Sequence, residues 1–461
     1  MPSLCRLCYS SWRYFSSRAN TQKVCIIGSG PAGFYVAQHL VKHNSAVEVD
    51  IYERLPVPFG LVRYGVAPDH PEVKNVINTF TKTAQNPRVK FYGNVSLGEN
   101  ISLKDLQNAY HAVVLTYGAE RDQELGITGE HLDNVISARR FVGWYNGLPA
   151  DKDLRVSLDC ETAVVIGQGN VAVDVARILL TDIDILKKTD ITAHSVAELA
   201  SSRVRRVVLV GRRGPLQVAF TIKELREMLK LPGVRTQFYT GQMDGVQQHV
   251  DKLARPRKRL TELLLQASSS PQQSVDKTLQ LLFLRSPLSF TGGQRVSEIN
   301  LGINQLEGDD LNKQNAVLSE ARESLSCGLV LRSIGYKSVQ ADPDVPFDPA
   351  RSVASQKPGL YAAGWLATGP VGVILSTMSN AFETANVINK DLSSGAVDVS
   401  QSKPGAAYIL NLLRSKGIPT VDFVGWEKID KVETERGQLV GKPREKIVNI
   451  TEMLNIGAQL R

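Results

Sequence analysis

Two glycine-rich turns hold the residues whose spacing could do chemistry. Residues 24–40 read VCIIGSGPAGFYVAQHL, an apolar run followed by Gly28, Gly30 and Gly33, with Ser29, Pro31 and Ala32 between them, and then a helical pattern. Residues 164–180, VVIGQGNVAVDVARILL, repeat the arrangement with Gly167, Gln168, Gly169 and Ala172, a small residue replacing the third glycine. Glycines so spaced permit a tight strand-to-helix turn and let the backbone approach a pyrophosphate, which the helix N-terminus then faces. One such loop arises by chance in many chains; two, each between a Val/Ile run and a helix, are far harder to obtain by accident.

The two units differ at the end of their second strand. The strand at 47–52 leads into Glu53, 20 residues beyond Gly33, where a carboxylate accepts hydrogen bonds from ribose hydroxyls. The strand returning after the second loop, RVVLVGRR at 206–213, ends on Arg212 and Arg213. Guanidinium binds an adenosine 2′-phosphate that a carboxylate would repel, so the second site reads as NADP(H) and the first as FAD. The competing reading of Arg212 and Arg213 is a solvated turn. Ala172 and Arg212 are 40 residues apart, about twice the usual ~20, which requires an extended connection through 179–200. Two dinucleotides in one chain imply hydride passage between them, chemistry that belongs to the cofactors and asks the protein for alignment and exclusion of water. A dithiol outlet would place cysteines just after the first helix. Residues 41–60 contain none, which points to a protein acceptor.

The elements that must position these loops follow from length and pattern. A chain of 461 residues, 43% hydrophobic and 22% charged, is an ordinary globular composition for two or three domains. The first helix is predicted through about residue 41, and a strand within 111–119 closes the first unit. The second unit starts near Thr162, and from Cys327 the pattern returns to strand, glycine loop and helix. The predicted fold is α/β, with two Rossmann-like dinucleotide-binding domains and an NADP domain inserted into a discontinuous FAD domain. Its parts are 24–121 (FAD, first part), 122–324 (NADP) and 325–461 (FAD, second part). Residues 1–23 carry Arg6, Arg13, Arg18 and Lys23, five serines and no acid, and read as a mitochondrial transit peptide, the alternative being a disordered tail. Without those four cations 50 basic residues face 46 acidic ones, too mild an excess to make nucleic acid the default partner. Five scattered cysteines make no disulfide framework; Cys5 and Cys8 lie in the targeting segment, and Cys25 reads as a buried small hydrophobe. No apolar run approaches the ~18 residues of a membrane span, and no metal site is expected.

Taken together, PFGLVRYGVAPDHPEVKNV, YHAVVLTYGAE, ARRFVGWYNGLP, VGRRGPLQVAFTIKELREM, RPRKRLTELLL, GLVLRSIGYKS and GKPREK, along with both loops, resemble the adrenodoxin-type ferredoxin–NADP reductases over nearly all of the chain after residue 23. The resemblance implies oxidation of NADPH by bound FAD and single-electron delivery to a small mitochondrial ferredoxin that feeds monooxygenases and iron–sulfur assembly. It implies a monomer on the matrix side, in peripheral contact with the inner membrane. Carried over by position, Gly28, Gly30, Pro31, Ala32, Gly33, Glu53, Arg54 and Leu61 would hold FAD. Gly364, Trp365, Gly372, Val373 and Ile374 would meet the flavin ring. Gly167, Gln168, Gly169, Asn170 and Val171 would approach the NADP pyrophosphate, with Glu224 towards the nicotinamide. His70 and Asp174 would form an interacting pair near the electron exit, although alone they read as a loop histidine and a solvent-facing helix residue. Arg255 and Arg259, four apart on either side of Pro256 and so on one helix side, would dock an acidic ferredoxin, the alternative being a solvated charged face. The chain is shorter than the family pattern across 349–357, and GWLATGP lacks the basic residues expected after the tryptophan. Alternatives are an electron-input module like the glutamate synthase small subunit, without its cysteine-rich segments, or a non-enzymatic NADP(H)- or RNA-binding protein.

Overall fold

The computed structural model describes residues 21–239, 241–270, 275–311, 313–351, 353–372 and 374–458. The targeting segment, apart from its last three residues, lies outside them, as does Val373. In chain order the strands are β1 (Gln22–Ile27), β2 (Val47–Glu53), β3 (Val89–Gly93), β4 (Ala112–Leu115), β5 (Arg121–Asp122), β6 (Val135–Ser137), β7 (Thr162–Ile166), β8 (Arg206–Val210) and β9 (Val234–Phe238). They continue with β10 (Lys277–Leu282), β11 (Arg285–Gly292), β12 (Val296–Glu307), β13 (Asn315–Ser326), β14 (Leu329–Arg332), β15 (Tyr336–Lys337), β16 (Phe347–Asp348), β17 (Val353–Ala354) and β18 (Leu360–Ala362).

The first sheet runs β18-β4-β1-β2-β3 and the second β6-β14-β7-β8-β10-β9, and all their pairings are parallel. Strands such as β1 and β7 carry continuous Val/Ile runs because both faces of a parallel sheet are covered. In each sheet the strand order reverses beside the strand that feeds a glycine loop, which opens a crevice at its carboxyl end. β1 turns into the helix Pro31–His43, opened by a proline in its first turn, and β7 into the helix Asn170–Leu180. An antiparallel sheet, β11-β12-β13, packs beside the second unit, and β5 pairs with β15 in an antiparallel ribbon. The chain leaves the first sheet and returns to it through that ribbon.

This topology is the discontinuous first unit with an inserted second one, and β18 does return to pair with β4. The second boundary requires correction. Residues 325–337 do not begin the returning part, because β14 lies in the second sheet, with Val330 between Val135 and Val164. Leu329, Val330 and Leu331 are all buried, so this strand needs neighbours on both sides. β8 stops at Val210, short of Arg213, and the long connection after residue 180 holds the helices Ile183–Leu186 and Ala193–Ala200. The shortened 349–357 region carries a small hairpin, β16 with β17.

The helix Phe423–Leu439, the last but one, locks onto the first unit through charge. Glu433, fully buried, accepts from Arg63 at 2.5 Å, from Arg444 at 3.2 Å and from the Ile447 N–H at 2.9 Å. The Arg63 guanidinium also lies 5.1 Å from the Trp426 ring centre. Removing one partner leaves the other charge buried and uncompensated, which costs roughly 3–5 kcal/mol. Glu433→Ala is therefore expected to lower the free energy of unfolding by about that much in a denaturant titration, and a loss below about 1 kcal/mol would contradict it.

Candidate functional site

The first glycine loop is held by Glu53 through Ser29. Gly28 has φ +106°, and a Cβ there would stand 2.8 Å from the Thr116 carbonyl; one on Gly33 would stand 2.1 Å from the Gly28 carbonyl oxygen. Glu53 Oε2 accepts from the Ser29 N–H at 2.9 Å and its hydroxyl at 2.7 Å, and Oε1 accepts from Leu55 N–H at 3.1 Å. A carboxylate has about four acceptor positions, so capacity remains for a ribose hydroxyl. Gly30 caps the helix with no side-chain bond, and a Cβ there would meet nothing within 4 Å. Pro31 and Ala32 continue the first turn. The C-terminal return reaches the same place: a Cβ on Gly364 would lie 2.7 Å from that of Ala32, and Gly364 N–H donates to Asn380 at 2.7 Å. Trp365 stacks on Tyr336, 5.6 Å between ring centres. Gly60, next to Leu61, approaches Gly30 so closely that its Cβ would be 3.0 Å from the Gly30 Cα. Leu61, Val371 and Leu375 are large apolar side chains left open to solvent, with Gly372 and Ile374 in the same stretch. An apolar ring system would cover such a surface. Arg54 instead pairs with Glu120 in an exposed contact.

The second loop repeats this geometry on different chemistry. Gly167 has φ +123°, and its Cβ would strike the Ser333 carbonyl oxygen at 2.1 Å; Gly169 caps its helix without a side-chain bond and faces open space. Gln168 points inward, donating to the carbonyls of Leu209 at 3.2 Å and Leu282 at 3.4 Å, which braces the loop. Asn170 accepts from Thr221 N–H at 3.0 Å and so ties the loop to the helix Ile222–Leu229 that bears Glu224; Val171 follows it. Among the described residues neither Arg212 nor Arg213 has an ion-pair partner. Arg257, which the sequence places only in the basic run RPRKRL, stands close enough to Arg213 that, after burial, the repulsion of Arg213 pushes the Arg257 guanidinium below its ordinary range. An uncompensated cationic pair beside a free helix N-terminus suits a phosphate. Arg255 and Arg259 are exposed on the helix Arg255–Ser268, as their spacing requires.

Between the units the structure gathers His70, Asp174 and Glu224 around a residue that sequence reasoning missed, Arg177. Its guanidinium donates to Asp69 at 2.5 and 3.0 Å and to Asp174 at 2.8 Å, and lies 3.6 Å from Glu224 and 3.7 Å from Glu227. The expected pairing of His70 with Asp174 is replaced by one with Glu227, 2.9 Å from the His70 Nε2. The His70 charge still acts on Asp174, whose carboxyl burial pushes up, with Arg177 and then His70 opposing. Glu224 is pushed up to about 7, by burial first and then by Asp174 and Glu227. His70, Glu224 and Glu227 present ligand atoms within 4.8 Å of one another, but Arg177 already supplies the cation those carboxylates face. The signal available in sequence was the three-residue spacing of Asp174–Arg177 and of Glu224–Glu227, which stacks neighbours on a helix face.

A carboxyl that holds its proton more tightly folded than unfolded makes the fold lose stability as pH rises between the two values, here from 4.5 to about 7. Glu224→Gln removes that loss. The melting temperature of the variant minus that of the native protein should grow more positive from about pH 5 to about pH 8, and a flat difference would contradict a raised carboxyl.

The model of the pyridine nucleotide-disulphide oxidoreductase family matches residues 22–251. NADPH:adrenodoxin oxidoreductase of Salvelinus fontinalis is 53% identical over 96% of this chain and 92% of its own length, and that of Bos taurus 52% over 96% and 94%. The solved structure of Mycobacterium tuberculosis FprA in complex with NADPH superposes with a TM-score of 0.90 at 37% identity, covering 95% of this chain and 99% of that one. Among the described residues Cys25, Cys160 and Cys327 are free thiols. With more than half of its residues identical over 96% of its length, the chain belongs to the NADPH:adrenodoxin oxidoreductase family.

Proposed function

We propose that this protein is an FAD-dependent NADPH:ferredoxin oxidoreductase of the mitochondrion. One NADPH and two oxidised ferredoxins give NADP⁺, one proton and two reduced ferredoxins. Flavin, when bound, supplies the conversion from a hydride donor to a donor of single electrons. The observation that carries the reading is the contrast at equivalent positions after the second strand of each unit, Glu53 in one and Arg212 with Arg213 in the other. The uncapped helix starts at Gly30 and Gly169 receive the two pyrophosphates, and Glu53 takes a ribose hydroxyl. Arg212 and Arg213, reinforced by Arg257, select the 2′-phosphate. Gly364, Trp365, Gly372 and Ile374 hold the ring system, while Leu61, Val371 and Leu375 keep water from it.

Glu224, with its raised carboxyl, can hold a proton at the nicotinamide end, and His70 and Asp174 set the charge around it through Glu227 and Arg177. Arg255 and Arg259 attract an acidic ferredoxin and orient it. Mitochondrial residence is supported by the names of the relatives and by the Arg/Ser-rich start of the sequence. A monomer on the matrix side is the simplest setting, with membrane contact at most peripheral: among the described residues no helix is long and apolar enough to cross a membrane.

The test is an absorbance spectrum of the purified protein before and after anaerobic NADPH. A yellow protein that bleaches, and that then reduces ferredoxin at a rate falling with added salt in the native chain but not after Arg255→Glu with Arg259→Glu, is the expected result. A colourless folded protein that takes up no flavin contradicts it. The nucleotide assignment has its own measurement. Losing charge-assisted bonds to phosphate, each worth about 1.5–3 kcal/mol, Arg212→Ala with Arg213→Ala should weaken NADPH at least about tenfold and leave NADH within about twofold. Equal losses for both would refute it.

A further inference from the structure

The motif GKPREK, residues 441–446, of which only Arg444 has a described role, meets the long connection after residue 180. Asp190, in that connection, accepts from Lys74 Nζ at 2.6 and 2.7 Å, and its carboxylate lies 3.0 Å from Lys446 Nζ. Lys446 also donates to the Asp190 carbonyl at 3.2 Å, and Glu445 accepts from Ala193 N–H at 2.8 Å. Lys442 donates to the Ile191 carbonyl and to Glu445. Ile191 belongs to the core of the second unit and Ile447 to that of the first. One carboxylate of the NADP-side unit is thus shared by two lysines of the FAD-side unit that come from sequence positions 372 residues apart.

All three groups are nearly shut from water, with side-chain exposures of 11% for Asp190, 13% for Lys74 and 1% for Lys446. Burial and the neighbouring cations push the Lys446 ammonium down to about 7, against the pull of Asp190. Two ammoniums repel each other unless the carboxylate sits between them. The same stretch of the FAD-side unit continues the contact, because Asp69 meets Arg177, His70 meets Glu227, and Glu72 meets Lys223 at 3.1 Å. Successive residues of one short segment therefore alternate in sign against the other unit. Together these ion pairs make a charged seam between the two units.

We propose that Asp190, bridging Lys74 and Lys446, is a positioning residue that fixes the angle between the two nucleotide-binding units and thereby the distance over which hydride passes. It lies in neither glycine loop. Hydride transfer demands near-contact alignment, and a misplacement of about 1 Å set far from the chemistry can cost about a hundredfold in rate. Asp190→Asn keeps the shape but removes the charge that holds both lysines and leaves one accepting oxygen where there were two, so the seam loosens while each glycine loop stays intact.

This inference rests on the NADPH-to-flavin reading, and the experiment separates the two. The FAD-loaded native protein, Asp190→Asn, Asp190→Glu and Lys74→Met are mixed anaerobically with NADPH in a stopped-flow instrument, with rates expressed per bound flavin. Asp190→Asn should lower the limiting rate of flavin bleaching at least about tenfold while the apparent NADPH dissociation constant stays within about threefold, and Asp190→Glu should recover part of the rate. Lys74→Met, which leaves the Asp190–Lys446 pair to hold the fold, should lower the limiting rate at least about threefold and carries the test if Asp190→Asn does not retain FAD. Unchanged limiting rates in the flavin-loaded variants, or losses confined to NADPH affinity, overturn the proposal. A native protein whose flavin NADPH does not bleach instead overturns the functional reading beneath it.

Discussion

A single buried guanidinium organises the cleft. Arg177 offers five donors in a rigid plane and cannot shed its charge, and it faces Asp69, Asp174, Glu224 and Glu227 within 3.7 Å. Arg177, with Lys223 and His70 beside Glu227, does not balance the four carboxylates, and burial first, then that surplus of negative charge, raises the Glu224 carboxyl. Arg177 grows from the helix of the second glycine loop, whereas Asp69 and His70 come from the first unit. The residue that ties the units together is thus the one that sets proton affinity between them. Alignment and acid–base poise rest on the same contact.

The two nucleotide loops show how much of a site is backbone. In both, the first glycine is pressed against the strand on the far side of the switch point, Thr116 in one sheet and Ser333 in the other, and the second faces open space at an uncapped helix start. That geometry is indifferent to which dinucleotide arrives. The loops diverge at the end of the second strand: Glu53 accepts from the first loop's own Ser29, while among the described residues the guanidiniums of Arg212 and Arg213 have no ion-pair partner.

These local features were legible in the sequence because their physics is local. Glycine spacing, a carboxylate at a strand end, paired arginines at another, and Arg255 with Arg259 on one helix side are all fixed by a few neighbouring residues. The contacts between units were not legible. Nothing near Asp190 announces Lys446, and His70 meets Glu227 rather than Asp174 because a packed interface, not sequence distance, chooses the partner. β14 escaped for a related reason: an apolar strand reads identically in either sheet, and only its register beside Val135 and Val164 decides the matter. The 40-residue gap before Arg212 looked like a weakness of the fingerprint and is the segment that carries Asp190.

Charge is a costly material for such an interface, since desolvating ions can consume what their attraction returns, and an apolar seam of similar volume is often more stable. Its advantage is discrimination. Apolar faces slide past one another with little change in energy, whereas Asp69, His70, Glu72 and Lys74 meet partners of opposite sign in only one register, and any slip brings like charges together. A protein that must bring two separately held nucleotides into contact gains more from a unique angle than from extra stability. The fully buried Glu433, which locks the helix Phe423–Leu439 to the first unit, applies the same logic one layer further in, fixing the platform from which Lys446 reaches across.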